Sequence, residues 1–380
     1  MSSLLFFLIK FLSFSNISLY TTSQSRAADF TQDVTVSSSG NQHVISTGTA
    51  QFTIVQTLPA LISSIQVGSD SLLAGSSSGS GPSITFIPQQ SQFGTAARTL
   101  DANDASVTYF EITESTPVKA TVLAEGVWSE GGGASLCDTF NSYYAQPYES
   151  FTFSLSLTFF RGRSDFKVQF HVRNQCSNGD GSDWTDQSFL INKASYALDF
   201  SQEISESSSS TQYSGGFSDS FVSNGIPSGS SVTTTVEQMR GSGSPWQRRA
   251  RITNGSTATE SEYINAPIVA ITNGRYLVGT TLAYMRYREP QALRAQGSTL
   301  SMDVVSEQQS VGEGKGLWNQ GMFVIRSVTG SIFSQNWQTE LQSLRWPTIF
   351  EVGENERNET LLCSDQYHIP NTDKLITVPF

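Results

Sequence analysis

The chain is poor in charged residues and in cysteine, and it has no long hydrophobic run. Asp, Glu, Lys and Arg make up 14% of its 380 residues, well below the usual quarter. The net charge of -11 argues against general nucleic-acid binding, which needs a basic surface, although a local basic cleft is compatible with it. No segment is apolar over the length of a membrane span. Uncharged Ser, Thr, Gly, Asn and Gln take the place of the missing charged residues, a composition that suits extracellular β-proteins. Hydrophobic residues make up 37% of the chain and include 24 Phe, so a core can form.

Signatures of metal and nucleotide sites are missing as well. There is no paired-Cys motif and no HExxH motif. The stretch that begins at Asn178 is not a calcium loop, because Phe189 stands where the twelfth, acidic ligand belongs. The glycines around Lys315 do not have the spacing of a phosphate loop, and no GxSxG motif marks a serine nucleophile. We therefore predict no metal site, and the sequence identifies no cofactor.

The three cysteines leave two possibilities open. A disulfide between Cys137 and Cys176 would cross-link the two ends of the hairpin between them, and Cys363 would remain unpaired. Closing a loop of that size stabilises a fold by on the order of 3–4 kcal/mol. The alternative is three unpaired, buried thiols.

The N-terminus predicts a secretory signal peptide over residues 1–28. Leu4 to Leu12 are mostly apolar, and Ser25-Arg26-Ala27 offers a small-x-small cleavage site. A buried first strand is the alternative, because Lys10 interrupts the apolar run and no basic residue precedes it. The export signal predicts that the protein is secreted.

Alternating apolar and polar residues, broken by Gly, Asn, Asp and Ser, predict an all-β protein built from sandwiches or barrels. One module ends near Glu114, and a second runs from Val118 to about Val328. Asn273-Gly274 predicts a hairpin with a type I′ turn. Short helices are expected only at Pro290–Gln296 and Gln335–Arg345.

The segment from Phe151 to Asn174 predicts two strands joined by a tight turn at Gly162. Strand side chains alternate between the two faces of a sheet. One face of the second strand then carries Phe166, Val168, Phe170 and Val172, and the other carries Lys167, Gln169, His171 and Arg173. On an acidic protein, the polar row is a candidate seat for an anionic ligand. A solvated face with cross-strand charge pairs is the alternative.

A second polar row is expected on the strand after Asn273-Gly274, where Tyr284, Arg286 and Arg288 share one face. These residue types, with a His, are what β-elimination from a uronic acid requires. An Arg binds the carboxylate and acidifies the α-proton, a His or Tyr removes that proton, and a Tyr protonates the leaving oxygen. The candidate catalytic residues are His171, Tyr284 and Arg286, and the candidate substrate-binding residues include Lys167, Arg173 and Arg288. A solvated sheet face is again the alternative.

A basic tract beside a tryptophan is a further candidate contact for an acidic sugar. Trp246 would stack on the sugar ring, and Arg248, the first residue of the tract, would take a carboxylate. A loop, or a strand edge protected by charge, is the alternative. Four other tryptophans are either core residues or sugar platforms: Trp128, Trp184, Trp318 and Trp337.

Five segments carry a family resemblance, in order along the chain. They are TGTAQFTIVQTLPALISSIQVGSDSLL (47–73), ITESTPVKATVLAEGVW (112–128), SFTFSLSLTFFRGRSDFKVQFHVRN (150–174), AYMRYREPQAL (283–293) and VGEGKGLWNQGMFVI (311–325). Together they resemble the secreted exo-rhamnogalacturonan lyase-like, or YetA-like, proteins. Glu289 precedes Pro290 where those proteins have Tyr, which is a departure.

The resemblance implies a small N-terminal β-barrel at 29–114 and a larger antiparallel β-sandwich at 115–330. Residues 331–380 would be a C-terminal extension that ends where the family's helical domain begins. The implied partner is a pectin-like acidic polysaccharide, rhamnogalacturonan, cleaved by β-elimination if the protein is catalytic. The alternative is a non-catalytic glycan-binding or structural module. A secreted hydrolase ranks last, because nothing in the sequence pairs carboxylates such as Asp165, Glu237 and Asp303.

Overall fold

In a computed structural model, the chain forms antiparallel β-sheets joined by turns. The structure describes residues 32–73, 80–88, 96–129, 151–174, 189–200, 211–217, 226–227, 232–240, 248–264, 267–282, 285, 290–311, 315–327, 350–354 and 360–364. Within these ranges the regular elements are all strands, so the all-β prediction is confirmed. The same residues include no helix long and apolar enough to cross a membrane.

Three sheets make up the body of the described structure. The first is a meander of β1 (Thr35–Ser39), β2 (Gln42–Ser46), β3 (Gln51–Val55), β4 (Ile62–Val67) and β5 (Asp70–Ser71). Sheet I contains, from edge to edge, β14 (Ile226–Pro227), β13 (Thr211–Ser214), β18 (Ile268–Thr272), β19 (Tyr276–Leu282), β23 (Gly316–Ser327), β11 (Phe166–Asn174), β10 (Phe151–Phe160), β9 (Lys119–Trp128) and β8 (Ala105–Ser115).

Sheet II contains β17 (Thr257–Ser261), β16 (Arg248–Asn254), β15 (Thr233–Arg240), β20 (Gln291–Gln296), β21 (Thr299–Val305), β12 (Phe189–Asp199), β6 (Gly81–Pro88) and β7 (Arg98–Leu100), and β22 (Gln309–Val311) pairs with β12. A separate hairpin joins β24 (Phe350–Glu354) and β25 (Thr360–Ser364).

Sheets I and II pack face to face through their apolar inner faces. The Phe151 ring of sheet I lies 4.9 Å from that of Phe86 in sheet II, measured between centroids. Tyr196 of sheet II approaches Phe323 of sheet I edge-on at 6.0 Å. Such contacts join both sheets into one hydrophobic core. The inner faces are therefore closed to ligands, and the side chains that alternate with them point to the two outer faces.

The meander packs against the end of this core. The Phe52 ring lies 4.6 Å from Phe159 in β10. Thr47 binds the turn of the β10–β11 hairpin twice: its carbonyl accepts the N–H of Gly162 at 2.7 Å, and its Oγ1 donates to the carbonyl of Arg163 at 2.6 Å. Gly162 itself has a φ of 69°, a conformation that suits glycine. These contacts fix the β10–β11 hairpin, whose second strand carries the polar row of Lys167, Gln169, His171 and Arg173.

Strands on both sides of residue 114 share sheets. Residue 114 lies inside β8, which pairs with β9, and the preceding strand β6 pairs with β12 in sheet II. In the described ranges the meander is open, with β1 and β5 as its edges. The domain boundary at 114 and the closure of residues 29–114 into a barrel stay predictions, as do the signal peptide at 1–28 and the extension at 331–380.

The helix prediction for Pro290–Gln296 is wrong. Gln291–Gln296 form strand β20, which pairs with β15 on one side and β21 on the other. The residue types favour a helix locally, but two neighbouring strands provide a complete ladder and a place in the core. The second expected helix, Gln335–Arg345, lies outside the described residues.

The hairpin at Asn273-Gly274 forms, but its turn differs from the type I′ prediction. Gly274 has a φ of 85°, while Asn273 is not among the residues of positive φ. The side-chain Oδ1 of Asn273 instead accepts the backbone N–H groups of Arg275 and Tyr276, at 2.9 and 2.8 Å. This local bonding is typical of Asn and moves the centre of the turn to Gly274 and Arg275.

Candidate functional site

The predicted polar row lies on the outer face of sheet I. In β11, Phe166, Val168, Phe170 and Val172 are buried in the core, whereas Lys167 and His171 are half-buried and Gln169 and Arg173 are exposed. The alternation follows directly from the sequence, because β10 and β23 pair with β11 without a register shift. The predicted hairpin and the facing of its side chains are confirmed.

A straight line of side chains crosses five strands of this face. Strand pairing places Tyr109 opposite Glu125, Glu125 opposite Ser154, Ser154 opposite His171, and His171 opposite Trp318. We call these five residues, Tyr109, Glu125, Ser154, His171 and Trp318, the aromatic row. Neighbouring strands are about 4.8 Å apart, so four steps give the row a length of roughly 19 Å.

Exposed aromatic side chains stand at both ends of the aromatic row. Among the described residues, Tyr109 and Trp318 are the large hydrophobic side chains with the greatest exposure, 46% each. Trp128, by contrast, is 2% exposed and packs on Phe153 in the core. The structure thus separates two tryptophans whose roles the sequence left open; Trp184 and Trp337 lie outside the described residues.

His171 is held close to the backbone of the neighbouring strand. A Cβ atom built on Gly316 would lie 2.1 Å from Nε2 of His171, so the imidazole occupies the space that a side chain at 316 would need. Within the described part of the chain, the ring makes no hydrogen bond. Partial burial and the charge of Arg173 both lower the pKa of His171 below its ordinary value of 6.5. At neutral pH the imidazole is therefore mostly uncharged and can accept a proton.

The opposite end of the row is acidic. The Tyr109 hydroxyl donates to Oε2 of Glu111 at 2.5 Å. This hydrogen bond, burial and the charge of Glu125 raise the pKa of Tyr109, so its phenol stays neutral. Tyr109 reaches the outer face because the register of β8 shifts between Val107 and Tyr109. The face is thus polarised, with carboxylates on β8 and β9 and cations on β11.

Four of the predicted site residues cannot be placed relative to this face. Tyr284, Arg286, Arg288 and Trp246 lie outside the described residues. The backbone of Arg248 lies in β16 of sheet II, whereas Lys167, His171 and Arg173 lie in β11 of sheet I. The structure therefore brings together the three β11 residues and not the backbone of Arg248, and the predicted meeting of His171 with Arg286 stays a prediction.

The sequence alone did not group four members of the aromatic row into one site: Tyr109, Glu125, Ser154 and Trp318. Each belongs to a different strand, and only the register of those strands aligns them. The sequence could have predicted only that Trp318 points outward, because it alternates with Leu317 and Asn319, which face inward.

The carboxylates considered for hydrolysis do not form an accessible pair. Asp165 is fully buried between Arg163 and Arg326. Asp303 is also fully buried, beneath Arg294 and Lys193. Glu237 lies in the same cross-strand line as Asp303, with Ala292 between them, and burial above all raises its pKa. A group with no exposed surface, such as Asp303, cannot contact a substrate.

Comparisons with known proteins give only distant likenesses. No family model matches the chain, and no curated protein does. The GH36 α-galactosidase AgaB from Geobacillus stearothermophilus has a TM-score of 0.45 at 8% identity, over 78% of this chain and 41% of that one. The galactosidase domain of AgaSK, an α-galactosidase-sucrose kinase, has a TM-score of 0.47 at 9% identity, over 77% of this chain and 42% of that one.

A galactose mutarotase-related enzyme from Lactobacillus acidophilus has a TM-score of 0.39 at 11% identity, over 76% of this chain and 99% of that one. This chain spans about two fifths of the length of the two α-galactosidase chains. All three proteins are named after galactose-processing enzymes.

In the part of the chain that the structure describes, no group of three or more His, Cys, Asp or Glu side chains is placed to hold a metal ion.

Proposed function

We propose that the outer face of sheet I binds an acidic polysaccharide of the pectin type along the aromatic row. The observation that carries the proposal is the alignment of exposed Tyr109 and Trp318 with His171, with Arg173 two residues from His171 on the same face of β11. Flat aromatic rings with one exposed face offer apolar area to the C–H faces of sugar rings. The flanking cations then give such a surface its preference for carboxylates.

The length and polarity of the row favour a polymer over a single sugar. The two aromatic ends are separated by four strand steps, or roughly 19 Å, which is the span of several sugar rings. Arg173, two residues from His171 on the same face of β11, would take a carboxylate near Trp318, and Lys167, four residues along the strand, would take one further from the row. Glu125 and Glu111 would accept hydrogen bonds from sugar hydroxyls near Tyr109. Rhamnogalacturonan, in which acidic and neutral sugars alternate, would place one galacturonate carboxylate at Arg173 and a neutral sugar near the carboxylates of β8 and β9.

Titration of rhamnogalacturonan fragments into the protein by calorimetry tests the proposal. We expect Trp318→Ala and Tyr109→Ala each to weaken binding by about ten-fold, or about 1.4 kcal/mol, because each removes a stacking surface. Arg173→Gln should weaken the binding of acidic fragments and leave a neutral galactan unaffected. Arg249→Gln, the same change at a half-exposed Arg of sheet II, is the matched control. Undiminished binding to folded Trp318→Ala would refute the proposed site.

A second candidate is β-elimination on the same face. It is favoured by His171, whose lowered pKa keeps the imidazole neutral beside the cation that would bind the carboxylate. A neutral imidazole can remove the α-proton at C5 of a uronic acid whose carboxylate Arg173 binds; the C4–O bond then breaks as the C4–C5 double bond forms, and the imidazolium or a water protonates the leaving oxygen. The reaction would release unsaturated sugar ends that absorb in the ultraviolet. If the signal appears, His171→Gln should abolish it; if folded protein produces none over a broad pH range, the face binds without cleaving.

Secretion and kinship with the exo-rhamnogalacturonan lyase-like proteins remain parts of this proposal. Fusion of residues 1–28 to a reporter enzyme tests the first part, since an export signal delivers the reporter to the medium. Retention of the reporter inside the producing cell would count against secretion.

A further inference from the structure

The outer face of sheet II, on the side of the sandwich away from the aromatic row, contains a cavity of about 250 Å³ that is lined by charged, hydroxyl-bearing and small apolar residues. Its floor is formed by neighbouring strands, β6, β12, β20 and β21, and the turn after β7 forms one wall. That wall stands close to β6 because Gly81, with a φ of 123°, has no side chain: a Cβ there would lie 2.8 Å from the Cβ of Ala102. The cavity is thus built into the fold by backbone geometry.

Two cations line the cavity above a buried carboxylate. Nε of Arg294 donates to Oδ2 of Asp303 at 2.6 Å, and Nζ of Lys193 lies 3.9 Å from Oδ1 of the same group. Asp303 has no exposed surface, so it orients the two cations and does not itself reach a ligand. The terminal amino groups of Arg294 donate no hydrogen bond within the described ranges. The cavity therefore holds charged donors with capacity to spare.

The remaining walls supply hydroxyl groups and one further carboxylate. Oγ of Ser83 and Oγ of Ser195 are 2.8 Å apart on the floor. Asp101 lies on the opposite wall, where its Oδ1 accepts the N–H of Asn103 at 2.7 Å. An oxygen acceptor beside hydroxyl groups is suited to ligand hydroxyls. The cations of the cavity can thus bind one negatively charged group of a ligand, and its oxygen acceptors can bind several O–H groups of the same ligand.

We propose that this cavity binds a monosaccharide that carries one carboxylate, a hexuronic or aldonic acid. The carboxylate would lie against the planar guanidinium of Arg294 and the ammonium group of Lys193, both of which bind carboxylates. The sugar hydroxyls would lie against Asp101 and Ser195. A doubly charged ion such as phosphate is disfavoured by Asp101 and Asp303. The volume lies below that of pockets for larger ligands, which matches one sugar ring. The proposal is independent of polysaccharide binding on sheet I.

Calorimetric titration of the full chain with D-galacturonate tests the cavity. Neutral D-galactose and inorganic phosphate are the comparison ligands, since each lacks one half of the proposed recognition. We expect saturable binding of galacturonate and binding of galactose that is about ten-fold weaker or more, the loss associated with hydrogen bonds to charged groups. No saturable binding of galacturonate, or equal binding of the two sugars, would overturn the proposal, as would tighter binding of phosphate.

Two variants locate the binding. Ala197→Phe fills the cavity from its floor and leaves every ion pair in place, so galacturonate binding should be lost. Lys193→Gln removes one half-exposed cation and should weaken it by about ten-fold. Arg249→Gln, at a half-exposed Arg of the same sheet that does not line the cavity, should leave it unchanged. Full binding to folded Ala197→Phe would contradict the assignment.

Discussion

At the scale of single residues, His171 is the titratable group on which the electrostatics of the aromatic row depend. Burial and Arg173 lower its pKa, so at neutral pH the positive charge of this region comes from Arg173 and Lys167. An anionic ligand favours the protonated imidazole and raises that pKa on binding. The same linkage requires protonation of His171 to strengthen the binding of the ligand.

We therefore predict that the affinity for an acidic oligosaccharide rises as the pH falls from 7 through the pKa of His171, which lies below 6.5. The groups that face the imidazole are Arg173 on its own strand and Glu125 two strands away. Calorimetry at several pH values between 7 and 5 measures the effect. His171→Gln should give a flat profile over this range, and an unchanged slope in that variant would assign the pH dependence to another group.

At the scale of elements, β23 uses two glycines for different purposes. At Gly316, a Cβ would meet only the imidazole of His171, which can rotate away. At Gly321, a Cβ would lie 2.2 Å from the carbonyl oxygen of Thr281 and 2.6 Å from Sδ of Met302. The first glycine makes room for the imidazole of His171, and the second allows neighbouring backbones to approach.

Substitution of these two glycines by alanine should separate function from stability. Gly316→Ala should leave the unfolding temperature near that of the parent chain while it displaces His171, exposes the ring and moves its pKa towards 6.5. Gly321→Ala should lower the free energy of unfolding by about 1–3 kcal/mol, because the backbone of β19 must move. Denaturant unfolding and NMR titration of the imidazole measure the two effects. Equal destabilisation by both changes would contradict this division.

Many of the strands could be predicted from the local residue pattern, whereas most of the aromatic row could not. The facing of β10 and β11 follows from alternation of residue types, which needs no distant partner. The aromatic row needs the register of β11 against β23, strands far apart in sequence, and the shift in β8 that turns Tyr109 outward. At residues 291–296 the local pattern is misleading: the residue types favour a helix, but pairing with β15 and β21 on both sides makes the segment a strand.

At the scale of the whole molecule, Asp165 connects the β10–β11 turn to β23. Its Oδ2 accepts hydrogen bonds from Arg163, and its Oδ1 accepts the backbone N–H of Ile325 and a hydrogen bond from Arg326. Burial alone would raise the pKa of Asp165, but the charges of Arg326 and Arg163 outweigh it and lower the pKa to about 2. The ionised carboxylate therefore stabilises the folded chain.

The sign of this linkage sets an acid limit on stability. The folded pKa of Asp165 lies below the ordinary value of 3.8, so its contribution is present above pH 3.8 and is lost as the pH falls through about 2. A difference of nearly two pKa units corresponds to about 2 kcal/mol. Asp165→Asn should lower the free energy of unfolding at pH 7 by at least that amount and flatten its dependence on pH below 4. Denaturant titrations at pH 7 and pH 3 measure both, and a variant as stable as the parent at pH 7 would show that the contacts of Asp165 with Arg163 and Arg326 contribute nothing to stability.

The register shifts in β8 have a further effect, on how copies of the protein meet in concentrated solution. In the described part of sheet I, β8 is an edge, and edge strands invite pairing with the edge of another molecule. Two irregular steps, after Val107 and after Ile112, break the even spacing that such pairing needs, and the nearby Glu111 adds like-charge repulsion between copies. The same irregularity that turns Tyr109 towards solvent thus discourages fibre growth along this border.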